Sequence, residues 1–397
     1  MTRRLYLQDP YTTSFDADVV ETRQTDDGPA WVFAETYFYP ESGGQPFDLG
    51  TIAGVQVKKI VETEDDTVLH VVDRVTDATR VHCEIDGARR RDHMQQHSGQ
   101  HILSAAFVSA ADAHTTSFHL GANVSTIDVD KTTLTVEDID RAERAANEIA
   151  RRGVTIRSRI VTQDEARELD LRKPPPAGNA LRIVEVEGFD QQACCGTHPR
   201  STSEVAPIVV RSVEKVKDGT RVVFLCGERV LADYHDTVSR VRSLASVLSS
   251  AEADLVDTAT RLQDERKAMG KALRKLENET LLREAESWMN ESVELDGVHV
   301  LAKTTSELGP AELRALATRL VETSGRIVLL GSVADGRAHL VFARSEDGRA
   351  DMGALIRGAL SAVDGRGGGS PSIAQGGGPE IAGLDNALAA AKQLLVS

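Results

Sequence analysis

Four residues in two short spans have types and spacing that suit a metal ion. His97 and His101, in "HSGQH", are four apart on an expected helix, so their side chains lie one turn apart on one face, about 5–6 Å between Cβ atoms. Cys194 and His198, in "QQACCGTHPRST", repeat that spacing. Together they offer three nitrogens and one sulfur, a donor set that suits tetrahedral zinc. Either pair alone reads as ordinary surface or core residues; the combination is the specific signal, and the fold must bring the two pairs together. Cys195 stands beside Cys194, but adjacent side chains in an extended or turn segment point in different directions, so both thiols are not expected to reach one ion. The spacing to His198 favours Cys194.

The residues around these four narrow the chemistry. The zinc-protease pattern places Glu directly after the first His as general base, whereas here Ser98 follows His97 and no carboxylate lies between the histidines. Peptide hydrolysis is therefore not expected; a substrate carrying its own activated ester needs less help. Four protein ligands close a zinc shell, so a reaction at the ion itself needs a fifth position or a displaced ligand. The expectation is an ion that positions its substrate. Thr115, Thr116, Ser117 and His119 follow the first helix and read either as the wall of the same pocket or as an ordinary half-exposed strand.

The elements that must position these residues form an α+β, multidomain chain. Residues 1–90 alternate Val-, Thr- and Tyr-rich runs with turn signals, the pattern of a small β-barrel or sandwich. Residues 91–228 hold both motif halves: a helix through "HMQQHSGQHILSAAFVSAA", strands, an amphipathic helix at "VEDIDRAERAANEIARRG", a short helix over 164–172 ended by "KPPP", and further strands. Residues 229–296 read as long charged helix, with Leu248, Leu255, Leu262, Met269 and Leu276 recurring every seventh position as in a helical hairpin or coiled-coil seam. Residues 297–397 read β-α-β-β-α, with the Gly-rich loop "GRGGGSPSIAQGGGP" before a last helix. That run lacks the Gly-Lys-Ser/Thr ending of an ATP loop.

Composition sets looser bounds. The chain of 397 residues is long enough for several domains. No run approaches the roughly 18–20 apolar residues of a membrane span, and "MTRRLYLQDPYTTSF" has no apolar stretch of a secretory signal, so a cytoplasmic location is expected. Four cysteines without regular spacing make a poor disulfide framework. A net charge of −15 argues against nucleic acid as a partner. Scattered acidic residues and a preference for Arg over Lys fit adaptation to high salt, where screening shortens to about 3 Å at 1 M and a local cluster such as Arg89-Arg90-Arg91 can still meet RNA.

Four motifs in order then resemble one family. "HSGQH" with "CCGTH" is similar to the zinc editing domain of alanyl-tRNA synthetase and of the stand-alone alanyl-tRNA editing proteins of the AlaX type, whose second half is usually Cys-Gly-Gly-Thr-His. "ETYFYPESGGQPFDLG" resembles the family's barrel signature, "TSFHLGANVSTIDVD" its stand-alone members, and the Gly-rich run the C-terminal domain of the synthetase. The resemblance implies a hydrolase that removes serine, or glycine, from mischarged tRNA(Ala), with one Zn(2+) held by His97, His101, Cys194 and His198. It implies that Thr115 or Thr116 recognises the serine hydroxyl, with Thr115 favoured, and that Gln100 stands where synthetases often carry Thr. Gly43, Gly44 and Gln45 are expected as a turn or a loop lining the substrate cleft, and the Gly-rich run as a contact for the tRNA elbow. A homodimer through the helical linker and C-terminal domain is the further expectation. The rival readings are a zinc-stabilised tRNA-binding protein without catalysis and a phosphoesterase; for the latter, only Asp92-His93-Met94 resembles an Asp-His-His motif.

Overall fold

A computed structural model of the chain describes residues 1–178 and 180–396. It is mixed α+β and divides into two units, Met1–Val247 and Leu248–Ser397.

The first unit opens with β1 (Arg3–Arg4), β2 (Ser14–Thr25), β3 (Gly28–Phe33), β4 (Glu35–Thr36), β5 (Gly50–Ile52), β6 (Val55–Glu62), β7 (Val68–Val72) and β8 (Arg80–Ile85). β1 and β4 pair in parallel, and the other six hydrogen-bond in the ring order β2-β3-β7-β6-β5-β8, with β8 returning to β2. Alternation does the sorting: along β8, Val81, Cys83 and Ile85 are buried while Arg80, His82 and Glu84 are exposed. The inward residues join Trp31, Phe33, Phe38 and Ile60 in one core.

From this ring the chain enters α1 (Gly87–Ala111), capped by Asp86, whose side chain accepts from Arg89 N at 3.0 Å. Around α1 lie β9 (Thr115–Leu120), β10 (Ser125–Val129), α2 (Val136–Arg152), β11 (Ile156–Thr162), α3 (Gln163–Glu168), β12 (Ala180–Val186), β13 (Asp190–Ala193), β14 (Ile208–Val216), β15 (Gly219–Cys226) and α4 (Glu228–Leu248). The short helix expected over 164–172 is thus α3 and ends at Glu168. The strands form two antiparallel sheets, β14-β15-β10-β9 and β11-β12-β13. Ile102, Leu103 and Phe107 of α1 meet Ala142 and Ala146 of α2 and Ile127, Val222 and Phe224 of the larger sheet.

The middle of α1 is polar yet buried, from Gln95 to His101. Burying polar groups is unfavourable unless they are hydrogen-bonded; Gln96 donates to Cys226 O at 2.9 Å and accepts from Cys226 N at 3.0 Å, and Gln95 donates to Glu204 O at 2.8 Å, whereas His97 Nδ1 is buried without a hydrogen-bond partner among the described residues. Gly99 is the point of closest approach, since a Cβ there would collide with Cys226 Sγ. The ring is tied to the same helix by Arg90, which donates through Nε to Asp48 Oδ1 at 3.0 Å, through Nη2 to Asp48 Oδ2, and also to the carbonyls of Pro10 and Tyr37. Arg90 is 1% exposed. This corrects the expectation of an RNA-facing Arg89-Arg90-Arg91 cluster: Arg90 is committed inward, and Arg89 donates to Phe47 O.

The second unit comprises α5 (Leu255–Trp288), β16 (Val293–Leu295), β17 (Val298–Ser306), α6 (Pro310–Leu320), β18 (Arg326–Ala334), β19 (Arg337–Arg344), α7 (Met352–Ala359), β20 (Arg366–Gly369), β21 (Ile373–Gly378) and α8 (Leu384–Val396). Its sheet runs β16-β17-β18-β19-β21-β20, with α7 and α8 contributing to one core and α5 and α6 to another. The Gly-rich run is not a loop: β20 and β21 pair antiparallel, with Gly367 opposite Gly376. Glycine has low strand propensity, so the run carries no strand signal of its own; the ladder to β19 supplies the order. On α5, Leu262, Met269 and Leu276 are 44%, 64% and 59% exposed.

Candidate metal centre and cleft

Both motif halves meet. His97 and His101 on α1 converge with Cys194, just past β13, and His198, and their ligand atoms all lie within 4.8 Å of one another. His97 Nε2 is 3.1 Å and His198 Nε2 3.4 Å from Cys194 Sγ. The second falls within the edges, roughly 3.3–3.8 Å, of a tetrahedron with metal–nitrogen and metal–sulfur bonds of about 2.0–2.3 Å, and the first is slightly shorter. The three imidazole rings stand 4.9 to 5.5 Å apart, centroid to centroid.

Partners behind the ligands fix which nitrogen faces inward. His198 Nδ1 is bonded to Ser98 Oγ at 2.8 Å and His101 Nδ1 to Asp190 Oδ2 at 3.2 Å, leaving each Nε2 for the centre. Asp190 is itself held by Arg172 Nε at 2.9 Å. Burial opposes ionising the Cys194 thiol, but His97, His198 and His101 outweigh it and hold the thiol well below its usual range, toward the thiolate that binds metals. Burial likewise opposes protonation of His101, yet Cys194 and Asp190 raise it to about 9; burial depresses His198 to about 3. A sulfur and three nitrogens, with the His101 and His198 rings anchored from behind, fit a metal ion, and the set suits zinc chemistry.

Gly196 and Arg182 shape the loop that carries Cys194. A Cβ on Gly196 would come within 2.7 Å of His97 Nδ1, so only glycine lets that ring approach. Arg182 Nη1 donates to the carbonyls of Cys194 at 3.0 Å and Gly196 at 2.9 Å. Cys195 keeps a negative φ, so it occupies a usual glycine position without backbone strain, and its thiol stands outside the ligand set.

A cleft of about 380 Å³ opens beside the centre. Ser42, Gly43, Gln100, Thr115, Thr116 and Ser117 line it together with His97, His101 and Cys194. A larger cavity of about 530 Å³ near Met1–Arg4 has none of the metal-centre residues in its wall, so chemistry and not size selects the cleft. Thr116 is exposed and donates to Asp128 O at 3.1 Å, and Ser117 donates to Asp128 Oδ2 at 2.9 Å. Of the three expected substrate-contacting residues, Gly43 lines the cleft, and Gly44 and Gln45 are not among its lining residues. Gln45 is fully buried; it donates to Thr197 Oγ1 at 2.9 Å and accepts from Thr197 N at 3.2 Å, clamping the ring's turn to the Cys194–His198 loop.

Sequence reasoning missed Ser104, Arg182 and the Arg172–Asp190 pair. An arginine inside the apolar run "LRIVEV" was the one available signal; Ser104 had none, because its partner Thr115 lies beyond the end of the helix.

Comparison with known proteins places parts of the chain beside two domain families. The DHHA1 domain family matches residues 297–397, and the threonyl and alanyl tRNA synthetase second additional domain family matches residues 181–223. The alanyl-tRNA editing protein Aarsd1-B of Xenopus laevis is 36% identical over 255 residues, covering 63% of this chain and 60% of that protein. The alanine–tRNA ligase of Natronomonas pharaonis is 32% identical across 415 aligned positions, covering all of this chain and 44% of the ligase. The crystal structure of the C-Ala domain of Aquifex aeolicus alanyl-tRNA synthetase is 25% identical, with a TM-score of 0.26, over 27% of this chain and 98% of that one. The chain thus spans about half to three fifths of the length of these curated relatives. It carries a second additional domain and a DHHA1 domain, the class to which its fold and metal centre point. Its sequence is similar to the alanyl-tRNA editing proteins and to the alanine–tRNA ligases.

Proposed function

We propose that this protein is a trans-editing hydrolase that deacylates tRNA(Ala) mischarged with serine, and with glycine, in a zinc-dependent manner. The observation that carries the reading is that the four ligand atoms lie within 4.8 Å of one another and that three of the ligands, His97, His101 and Cys194, line a cleft that also presents Gln100 and Thr115. His97, His101, Cys194 and His198 would hold the ion, which supplies Lewis-acid polarisation or an anchor for the aminoacyl end. The chain's own residues do the rest. His101 and His198 are kept in one tautomer by Asp190 and Ser98. Gln100 and Thr115 offer polar atoms to the aminoacyl group. Such an activity is useful because serine and glycine are so close in size to alanine that a binding pocket separates them only modestly.

The partner in this reading is charged tRNA(Ala), met in the cytoplasm, with residues 297–397 contributing to the tRNA contact and the exposed α5 stripe to a homodimer. The N-terminal ring of strands is read as a closed small barrel whose turn, through Gly43, borders the cleft. Closed coordination by four side chains favours one second reading, a zinc-stabilised tRNA-binding protein without catalysis. Time courses of ester loss from Ser-, Gly- and Ala-charged tRNA(Ala) separate the two. Release of serine well above the uncatalysed rate is expected, with alanine spared. Serine loss at the uncatalysed rate by metal-loaded protein would leave the binding reading.

A further inference from the structure

Behind the cleft, and absent from its lining, sits Ser104, fully buried on α1. Its Oγ accepts two hydrogen bonds, one from Thr115 Oγ1 at 2.7 Å and one from Gln100 Nε2 at 2.9 Å. Both donors line the cleft. Thr115 therefore spends its single donor on Ser104, and Gln100 one of the two N–H donors of its carboxamide. Thr115 keeps only the lone pairs of its hydroxyl oxygen for the cleft, while Gln100, anchored through one N–H, keeps its second N–H and Oε1, the latter without a hydrogen-bond partner among the described residues.

We propose that Ser104 is a positioning residue that sets the Thr115 hydroxyl as a hydrogen-bond acceptor toward the cleft and orients the Gln100 carboxamide with its Oε1 available there, so that the cleft reads the donor groups of an aminoacyl ester. This rests on the reading of the cleft as an aminoacyl site. The α-ammonium is a donor common to every amino acid, and it fits Gln100 Oε1, an uncharged acceptor that stays available at any pH. The side-chain hydroxyl of serine is the donor that glycine and alanine lack, and it fits Thr115 Oγ1. A site built to accept a hydroxyl discriminates strongly, because a substrate without one leaves the buried acceptor unpaired. Without Ser104 the Thr115 hydroxyl is free to rotate and to donate, and the preference is lost although Thr115 itself remains.

The test is binding of two non-hydrolysable amides, 3′-seryl- and 3′-glycylamido-adenosine, to the metal-loaded full chain. The wild type is expected to prefer the seryl amide, and Ser104→Ala to lower that ratio of affinities about tenfold, the loss of one oriented hydrogen bond. Ser104→Cys keeps the side-chain volume with a weak acceptor and should lower it similarly. In a Thr115→Val background, Ser104→Ala should change the ratio no further. Metal content and thermal midpoint monitor the fold. A wild type without preference, an unchanged ratio in Ser104→Cys, or equal weakening of both amides by Ser104→Ala would each overturn the proposal. Turnover of charged tRNA is measured separately: hydrolysis without these ratio changes removes Ser104's role alone, and ratio changes without hydrolysis remove only the deacylase reading.

Discussion

Cys194 and Cys195 are chemically identical and adjacent, yet their surroundings separate them. Cys194 faces three imidazoles, which overcome burial and hold it toward the thiolate, whereas burial and the neighbouring Cys194 charge push the Cys195 thiol up. Cys194→Ala should therefore lose the metal and Cys195→Ala keep it, as read by metal analysis of the purified variants; equal losses would contradict the assignment. Gly196→Ala should also lose metal, since its new Cβ takes the space of the His97 ring, while thermal stability of the ring and the second unit changes little. At this scale the sequence was informative where spacing is local: His-x3-His and Cys-x3-His name the four ligands. It was silent where the partner is remote. Nothing near Ser104, Gln45 or Asp190 announces Thr115, Thr197 or His101, because those pairs form only when α1, the ring's turn and the β12–β13 hairpin come together.

At the scale of elements, α1 is the axis on which the site depends, and of two buried devices the first ties the strand ring to it while the second joins strands within the ring. One is the buried Asp48–Arg90 pair. Removing one partner strands a charge in the interior, so Arg90→Met should destabilise the first unit by about 3–5 kcal/mol, measured by denaturant unfolding. The other is His70, whose Nε2 is 2.8 Å from Thr36 Oγ1 and whose Nδ1 is 3.2 Å from Trp31 O. Burial depresses His70 to about 4, below the roughly 6.5 of an unfolded chain. The unfolded state then binds the proton first, so stability present above pH 6.5 is lost as pH falls toward 4, on the order of 3 kcal/mol from this group. His70→Gln should flatten that part of the stability profile; an unchanged slope would show that His70 is not the titrating group. The helices were legible from apolar spacing. The Gly-rich strands β20 and β21 were not, because their order comes from the ladder to β19 and not from their side chains.

Across the whole molecule, two units of different composition share one chain, and each bears on a different part of the proposed activity. The first holds the metal centre and cleft; the second holds the DHHA1 match and the exposed stripe of α5. If that stripe is a self-association seam, sedimentation at micromolar concentration should find a dimer for the wild type and a monomer for a Leu262→Glu, Met269→Glu variant. A monomeric wild type would contradict the seam. The excess of acidic over basic residues, 61 against 46, makes any RNA contact depend on local arginines and not on net charge. The overall charge therefore lends no support to the proposed tRNA partner, which rests on the motifs. The central claim is that the four-ligand centre equips this cleft to hydrolyse a seryl ester. It is tested most directly by the rate of serine release from Ser-tRNA(Ala) with protein stripped of metal and then reloaded with zinc. The account predicts release near the uncatalysed rate for the stripped protein and its recovery on reloading in the wild type but not in Cys194→Ala. Equal rates with and without zinc, or full activity of Cys194→Ala, would contradict it.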